Sequence, residues 1–222
     1  MDPEISILFQ CPSPEGIPET QVRAEVSPAY DRRSLPGDQL EIERAWQARC
    51  RQNPWLFDGS KFRLSSVTTE GGITTFCLGL TCYKDFERGC RDFGDRRAYL
   101  AHPLGVGAML HLADNRFLFL RRSQCVAEAP GKIDIPGGHP EPQVVKDQTA
   151  SGGPLCHQDL LGELVVQELF SAVLREIQDE VNLPASSLSR PVLLGVARNE
   201  TSAGRCSAEF YVSSAFQVRP DI

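Results

Sequence analysis

Apolar and polar residues follow two rhythms along this chain, one near 3.6 residues and one near 2. The helical rhythm is clearest in "LGELVVQELFSAVLREIQDEVNLP" (residues 161–184), where Leu169, Val173, Ile177 and Val181 recur every fourth position and form an apolar stripe. Asn182 suits a left-handed cap, and Pro184 prevents continuation. "DQLEIERAWQARCRQ" (38–52) predicts a second amphipathic helix, with Leu40, Ile42, Ala45 and Trp46 near one face. Strands are expected at "ISILFQC" (5–11), "LGVGAML" (104–110), "RFLFLRRS" (116–123, a strong buried strand), "PVLLGVARN" (191–199) and "SAEFYVSSAF" (207–216). "FRLSSVTTE" and "ITTFCLGLTCY" flank Gly71-Gly72 and predict a β-hairpin. "KIDIPGG" (132–138) reads as a strand entering a Pro-Gly-Gly turn, and the polar residues 143–160 read as a loop. Strands, loop, helix, strands is the order of an α+β protein or an α/β/α sandwich.

Composition narrows the function classes. The chain has 222 residues, 41% hydrophobic and 23% charged, enough for one large domain or a domain with a substantial extension. Its net charge of −6 and the absence of a basic block argue against nucleic-acid binding through a cationic surface. An acidic chain that binds phosphate needs local Arg or Lys or a metal ion to offset the charge. The eight cysteines form no C-x-x-C pair and suggest neither zinc ligands nor a disulfide framework. Reduced thiols point to a cytoplasmic or nuclear setting. The N-terminal apolar run is too short for a signal peptide, and no stretch reaches the length of a membrane helix. Asn199-Glu200-Thr201 forms a sequon, expected to be unused in a chain that is not secreted.

The candidate chemistry lies in "REIQDEVNL" (175–183). Glu176 and Glu180 sit one turn apart on the same helix face, Asp179 flanks them, and Arg175 lies alongside. On most helices such a cluster is a solvated face. Two features favour a cation site. Acidic groups near a helix C-terminus oppose the macrodipole. Upstream, "PGGHPEP" (136–142) offers glycines that let backbone approach a ligand closely. Mg²⁺ takes one or two carboxylates plus substrate phosphate oxygens.

These two stretches resemble the halves of a nudix box, G-x5-E-x7-R-E-U-x-E-E-x-G-U, with U a bulky aliphatic. Gly138 resembles the opening glycine, and Arg175, Glu176, Ile177, Glu180 and Leu183 match in type and spacing. The box is split by an insertion over about residues 143–166. Asp179 stands where the first Glu of the pair is expected, and Asn182 stands for the Gly. The internal Glu is open: counting from Gly138 reaches Val144, and counting back from Arg175 reaches Gln167, with Glu168 adjacent. "PWLFD", "HPLGVGA", "VAEAPGKIDIPGGHPEP" and "ARNETSAGRCSAEFYV" extend the resemblance over nearly the whole chain, toward vertebrate nudix hydrolases that cleave UDP-sugars.

The resemblance implies a nudix-type α/β/α sandwich with a mixed sheet. Residues 103–222 would form the hydrolase domain and residues 1–102 a mixed α/β extension. It implies Mg²⁺-dependent hydrolysis (with Mn²⁺ as a substitute) of UDP-glucose or UDP-galactose to UMP and sugar 1-phosphate. Glu176 and Glu180 are expected as metal ligands, Asp179 as a ligand through water, and Arg175 as the partner of a nearby carboxylate that holds the loop. Phe57, Tyr83, Arg122, Ala127, Asp134, His139 and Glu141 are implied to form the nucleotide-sugar site. Taken from the sequence alone, core packing is the favoured reading of Phe57 and Tyr83 and solvation that of His139, while Arg122 reads equally as a solvated strand end. Glu200, after a strand, is one candidate for the general base. The ending "SSAFQVRPDI" carries no helical pattern, so a C-terminally truncated form is expected. The alternative function is a nucleotide-sugar or partner-binding module of weak or no activity.

Overall fold

A computed structural model describes residues 4–34, 37–88, 96–124, 129–149, 152–201 and 204–217. Two mixed sheets enclose one long helix. The first contains β1 (Ile5–Gln10), β5 (Leu104–Leu112), β8 (Gly137–Gly138), β9 (Val192–Asn199) and β10 (Arg205–Ser214), in the order β1-β9-β10-β5-β8. Within it β10 runs parallel to β5, and the other pairs are antiparallel. The second contains β2 (Val22–Val26), β3 (Ser60–Glu70) and β4 (Ile73–Cys82), in the order β2-β4-β3. β6 (Leu120–Arg121) and β7 (Ile133–Asp134) form a short ribbon. The helices are α1 (Asp38–Gln52), α2 (Tyr83–Arg88), α3 (Pro142–Gln148) and α4 (Gly162–Val181). The architecture is α+β, as expected.

The period-3.6 stripe positions α4. Leu169, Val173 and Ile177 are fully buried, and the helix packs against β2, β5 and β8. In β5 the period-2 rhythm turns Leu104, Val106, Ala108, Leu110 and Leu112 into the core. Phe170 of α4 meets Phe210 of β10 edge to face at 5.0 Å. The helix ends where expected: Asn182 adopts φ 60° and closes the last turn through its N–H to the Gln178 carbonyl. α1 spans the expected fifteen residues. The β3–β4 hairpin turns at Gly71 and Gly72, both with positive φ, as a two-residue type I′ turn requires. Chain connectivity interleaves the early and late parts, since β1 completes the sheet built by β9, β10 and β5.

Three expectations are corrected. Residues 116–123 are not a buried strand: Leu120–Arg121 pair with β7, Phe117 makes an isolated bridge to His111, and Phe117 and Phe119 are exposed while Leu118 packs inward. Their alternation is that of a half-buried edge ribbon. Gly137-Gly138 is not a turn but a short strand against Val106 and Gly107. Residues 143–160 are not all loop, because α3 occupies the first part. Pro142 suits its first turn, and burial of Val145 and Lys146 supplies the stabilisation that this polar sequence lacks by itself.

Candidate active site

β8 brings the two halves of the motif together. Gly138 leaves no room for a side chain, because a methyl group there would lie 1.9 Å from Glu176 Oε1. The neighbouring Gly137 N–H donates to Glu180 Oε2 at 3.0 Å. The backbone N–H of His139 donates to Glu176. One helix turn of α4 thus presents two carboxylates against a strand whose glycines permit the approach. Asp179, beside them, is exposed.

Charge is short of compensation here. Burial raises the Glu176 carboxyl above the ordinary carboxylate value, Glu180 and Asp179 raise it further, and Arg175 and the His139 N–H oppose the shift. Among the described residues no group of three or more His, Cys, Asp or Glu side chains is already arranged to hold a metal ion. A carboxylate pair nevertheless fits a hard divalent cation that keeps waters and takes phosphate oxygens. The mutual repulsion of Glu176 and Glu180 is what such a cation would relieve.

Arg175 does not face this pair alone. Its Nη2 donates to Glu168 Oε1 at 2.5 Å, and the same oxygen accepts the Glu141 backbone N–H at 2.9 Å. Glu168 is 2% exposed, so α4 pins the loop that follows β8 through a buried carboxylate. Sequence counting left the internal glutamate open between Val144, Gln167 and Glu168. The structure places Glu168 in contact with Arg175, two helical turns away.

Above β8 lies a cleft of about 460 Å³, lined by Tyr83, Arg122, Asp134, His139 and Glu180 among others. Arg122 and Asp134 form an ion pair at 2.9 Å across β6 and β7. Asp134 shares the cleft with Ile135, although strict alternation would separate them, because β7 ends at Asp134. Phe57 is not in the core: it is 76% exposed and lies beside Gly59 near the Lys61 amine. Glu141 is exposed, 4.0 Å from that amine. Ala127 lies outside the described residues. Glu200 is occupied, accepting Arg198 Nε at 2.9 Å, Arg198 Nη2 at 2.7 Å and the Ser6 hydroxyl at 2.5 Å. Asn199, Arg205, Ser207 and Glu209 also line the cleft, and sequence reasoning missed them. The signal was present in "RCSAEFYVSS": its period of 2 sets Arg205, Ser207 and Glu209 opposite buried Cys206, Ala208 and Phe210.

Burial, with Lys61 and Arg205 adding to it, pulls the His139 ring down to about 3. The ring is therefore neutral around pH 7. Below pH 6.5 the unfolded chain takes up a proton that the folded chain refuses, so stability is lost as pH falls from 6.5 toward 3. By pH 5 this amounts to about 2 kcal/mol. In urea unfolding without added metal, His139→Gln is expected to lose that much less than the wild type between pH 7 and pH 5. Equal losses in the two proteins would contradict this assignment.

No family model matches the chain. Curated relatives do. The chain is 55% identical over 240 residues to the human uridine diphosphate glucose pyrophosphatase NUDT22, covering 99% of this chain and 78% of that one. It is 56% identical to the protein of that name in Bos taurus, covering 99% and 81%. It is 34% identical to nudix hydrolase 9 of Arabidopsis thaliana, covering 96% and 76%. A solved nudix hydrolase from M. smegmatis, RenU, aligns with a TM-score of 0.32 at 14% identity over 60% of this chain and 70% of that one, too distant to carry weight. With identity of this extent, and with the split motif reunited by β8 and α4, the chain belongs to the nudix hydrolase family.

Proposed function

We propose that this protein hydrolyses the diphosphate of UDP-glucose, or of UDP-galactose, to UMP and sugar 1-phosphate with Mg²⁺ as the preferred cation and Mn²⁺ as a substitute. The observation that carries the reading is the Glu176–Glu180 pair held against Gly137 and Gly138 at the edge of a polar cleft. The names of the mammalian relatives support the substrate.

In the reaction, a water oxygen attacks one phosphorus and the bond from that phosphorus to the bridging oxygen breaks. The bridging oxygen leaves with the other phosphoryl group. A bound divalent cation supplies charge neutralisation and alignment for the diphosphate. Glu176 and Glu180 are the groups that would hold it, with Asp179 acting through water. Arg175 positions the site: through Glu168 it fixes the Glu141 backbone and hence the loop carrying Gly138 and His139. Arg122 offers a guanidinium to phosphate, steadied by Asp134. Neutral His139 can hydrogen-bond without adding charge. Tyr83 in the cleft and exposed Phe57 offer aromatic surfaces for the base or sugar.

No helix among the described residues is long and apolar enough to cross a membrane. The thiols of Cys11, Cys50, Cys77, Cys82, Cys156 and Cys206 are free, which supports a reducing compartment, the cytoplasm or nucleus.

Thermal unfolding tests the reading. A non-hydrolysable methylene analogue of UDP-glucose at about 100 times its Kd stabilises by about 2.7 kcal/mol, a rise of roughly 5–10 °C in Tm. The full rise is expected only when Mg²⁺ is also present. An equal shift in EDTA would contradict a metal-bridged diphosphate.

A further inference from the structure

Glu209 is a charged residue in the middle of β10 that neither the carboxylate pair nor the Glu168–Arg175 contact uses. In register it stands opposite Gly107, which in turn stands opposite Gly137, whose N–H holds Glu180. Two glycines therefore lie in register between Glu209 and the end of the cleft that carries Glu180. The Glu209 carboxyl leans over Gly107: a methyl there would lie 2.5 Å from its Oε2 and 2.8 Å from Ile135 Cδ1. That Oε2 is buried and has no hydrogen-bond partner among the described residues. Burial raises the carboxyl above the ordinary range, Asp134 adds to the rise, and Ser207 and Arg205 oppose it. A desolvated carboxyl oxygen without a donor costs stability, and Ser207 and Arg205 offset the burial of this carboxyl only in part. Such a cost, located on the floor of a ligand cleft, is typical of a group kept for binding.

We propose that Glu209 is a substrate-binding residue whose uncommitted carboxyl oxygen accepts a hydrogen bond from an N–H or O–H donor of the nucleotide sugar. This inference rests on the UDP-sugar reading above. The uracil imide N–H and the sugar hydroxyls both supply such a donor, and the two products divide them. UMP carries the imide N–H and the ribose hydroxyls, and glucose 1-phosphate carries the glucose hydroxyls.

The test compares wild type, Glu209→Met and Glu209→Gln with Mg²⁺ present. Glu209→Met, similar in volume and apolar, is expected to melt at or above the wild-type temperature, because a buried carboxyl oxygen without a donor has been removed. Its KM for UDP-glucose rises about tenfold or more while kcat stays within about threefold. Glu209→Gln, which retains an acceptor oxygen, keeps KM within about threefold of wild type. Calorimetric titration with UMP and with glucose 1-phosphate shows which half loses affinity in Glu209→Met, and thus which half of the substrate carries the donor. Unchanged KM and product affinities in Glu209→Met overturn the proposal. So does a loss confined to kcat, or a Glu209→Met chain that fails to fold. If the wild type itself does not turn over UDP-glucose, the substrate reading falls and this inference falls with it. If the wild type is active and Glu209→Met matches it, only the inference falls.

Discussion

Glu180→Gln is expected to lower kcat/KM for UDP-glucose about 10³-fold, equivalent to ~4 kcal/mol of transition-state stabilisation. Glu180 is half of the only carboxylate pair that the described residues bring against β8, and its Oε2 is fixed by the Gly137 N–H. Glutamine keeps an oxygen that can accept that N–H but loses the charge that would hold a divalent cation. The fold should therefore survive while turnover does not. The variant's Tm without metal should match the wild type or exceed it, because the repulsion that Glu180 adds to the effect of burial on Glu176 is removed. Activity within tenfold of wild type at saturating Mg²⁺ would show that Glu180 is a bystander. Steady-state kinetics across Mg²⁺ concentrations separate weakened cation binding from lost chemistry.

Glu168→Ala is expected to be the most destabilising single change at the site, by about 2–3 kcal/mol in urea unfolding, because it empties a buried position and leaves a backbone N–H unsatisfied. The Glu168 side chain is 1% exposed and the Arg175 side chain 43%. The ordinary surface ion pair is worth little, but here truncation also leaves the Glu141 N–H without its acceptor. Glu168→Gln should cost distinctly less, since its oxygen can still accept from that N–H. The loop carrying Gly138 and His139 is anchored through this contact, so both variants should lose activity along with stability. A cost below 1 kcal/mol for Glu168→Ala would mean that the loop is held by other contacts.

Legibility in the sequence followed the strength of local periodicity. α4 could be read to within about a residue because buried positions recur every three or four residues and because Asn182 can adopt positive φ, whereas in α1, whose span was also legible, only Ile42 among the described side chains is buried and Leu40 is exposed. The β3–β4 hairpin was legible through Gly71-Gly72. α3 was not: two turns of mostly polar sequence are helical only because Val145 and Lys146 pack into the fold. Residues 116–123 misled in the opposite direction, their apolar run belonging to an edge ribbon with Phe117 and Phe119 exposed.

At the site, Glu176 and Glu180 were legible because four residues separate them on one helix. Glu168 was ambiguous because the insertion defeats counting from Gly138, and only the i to i+7 relation to Arg175 in space resolves it. Phe57 illustrates the limit of composition, since an aromatic expected in a core or stacking site is 76% exposed beside Lys61. Glu209 was readable in principle from the alternation of β10. Its significance depends on Gly107 lying opposite, a parallel pairing across more than a hundred residues that local pattern does not show.

The most direct measurement is product identification after incubating this 222-residue chain with UDP-glucose, with Mg²⁺ or with EDTA. The expected result is UMP and glucose 1-phosphate in equal amounts with Mg²⁺ and neither with EDTA. A folded chain that yields no product with Mg²⁺, or that yields UDP and free glucose, would contradict the assignment of diphosphate cleavage to the Glu176–Glu180 site.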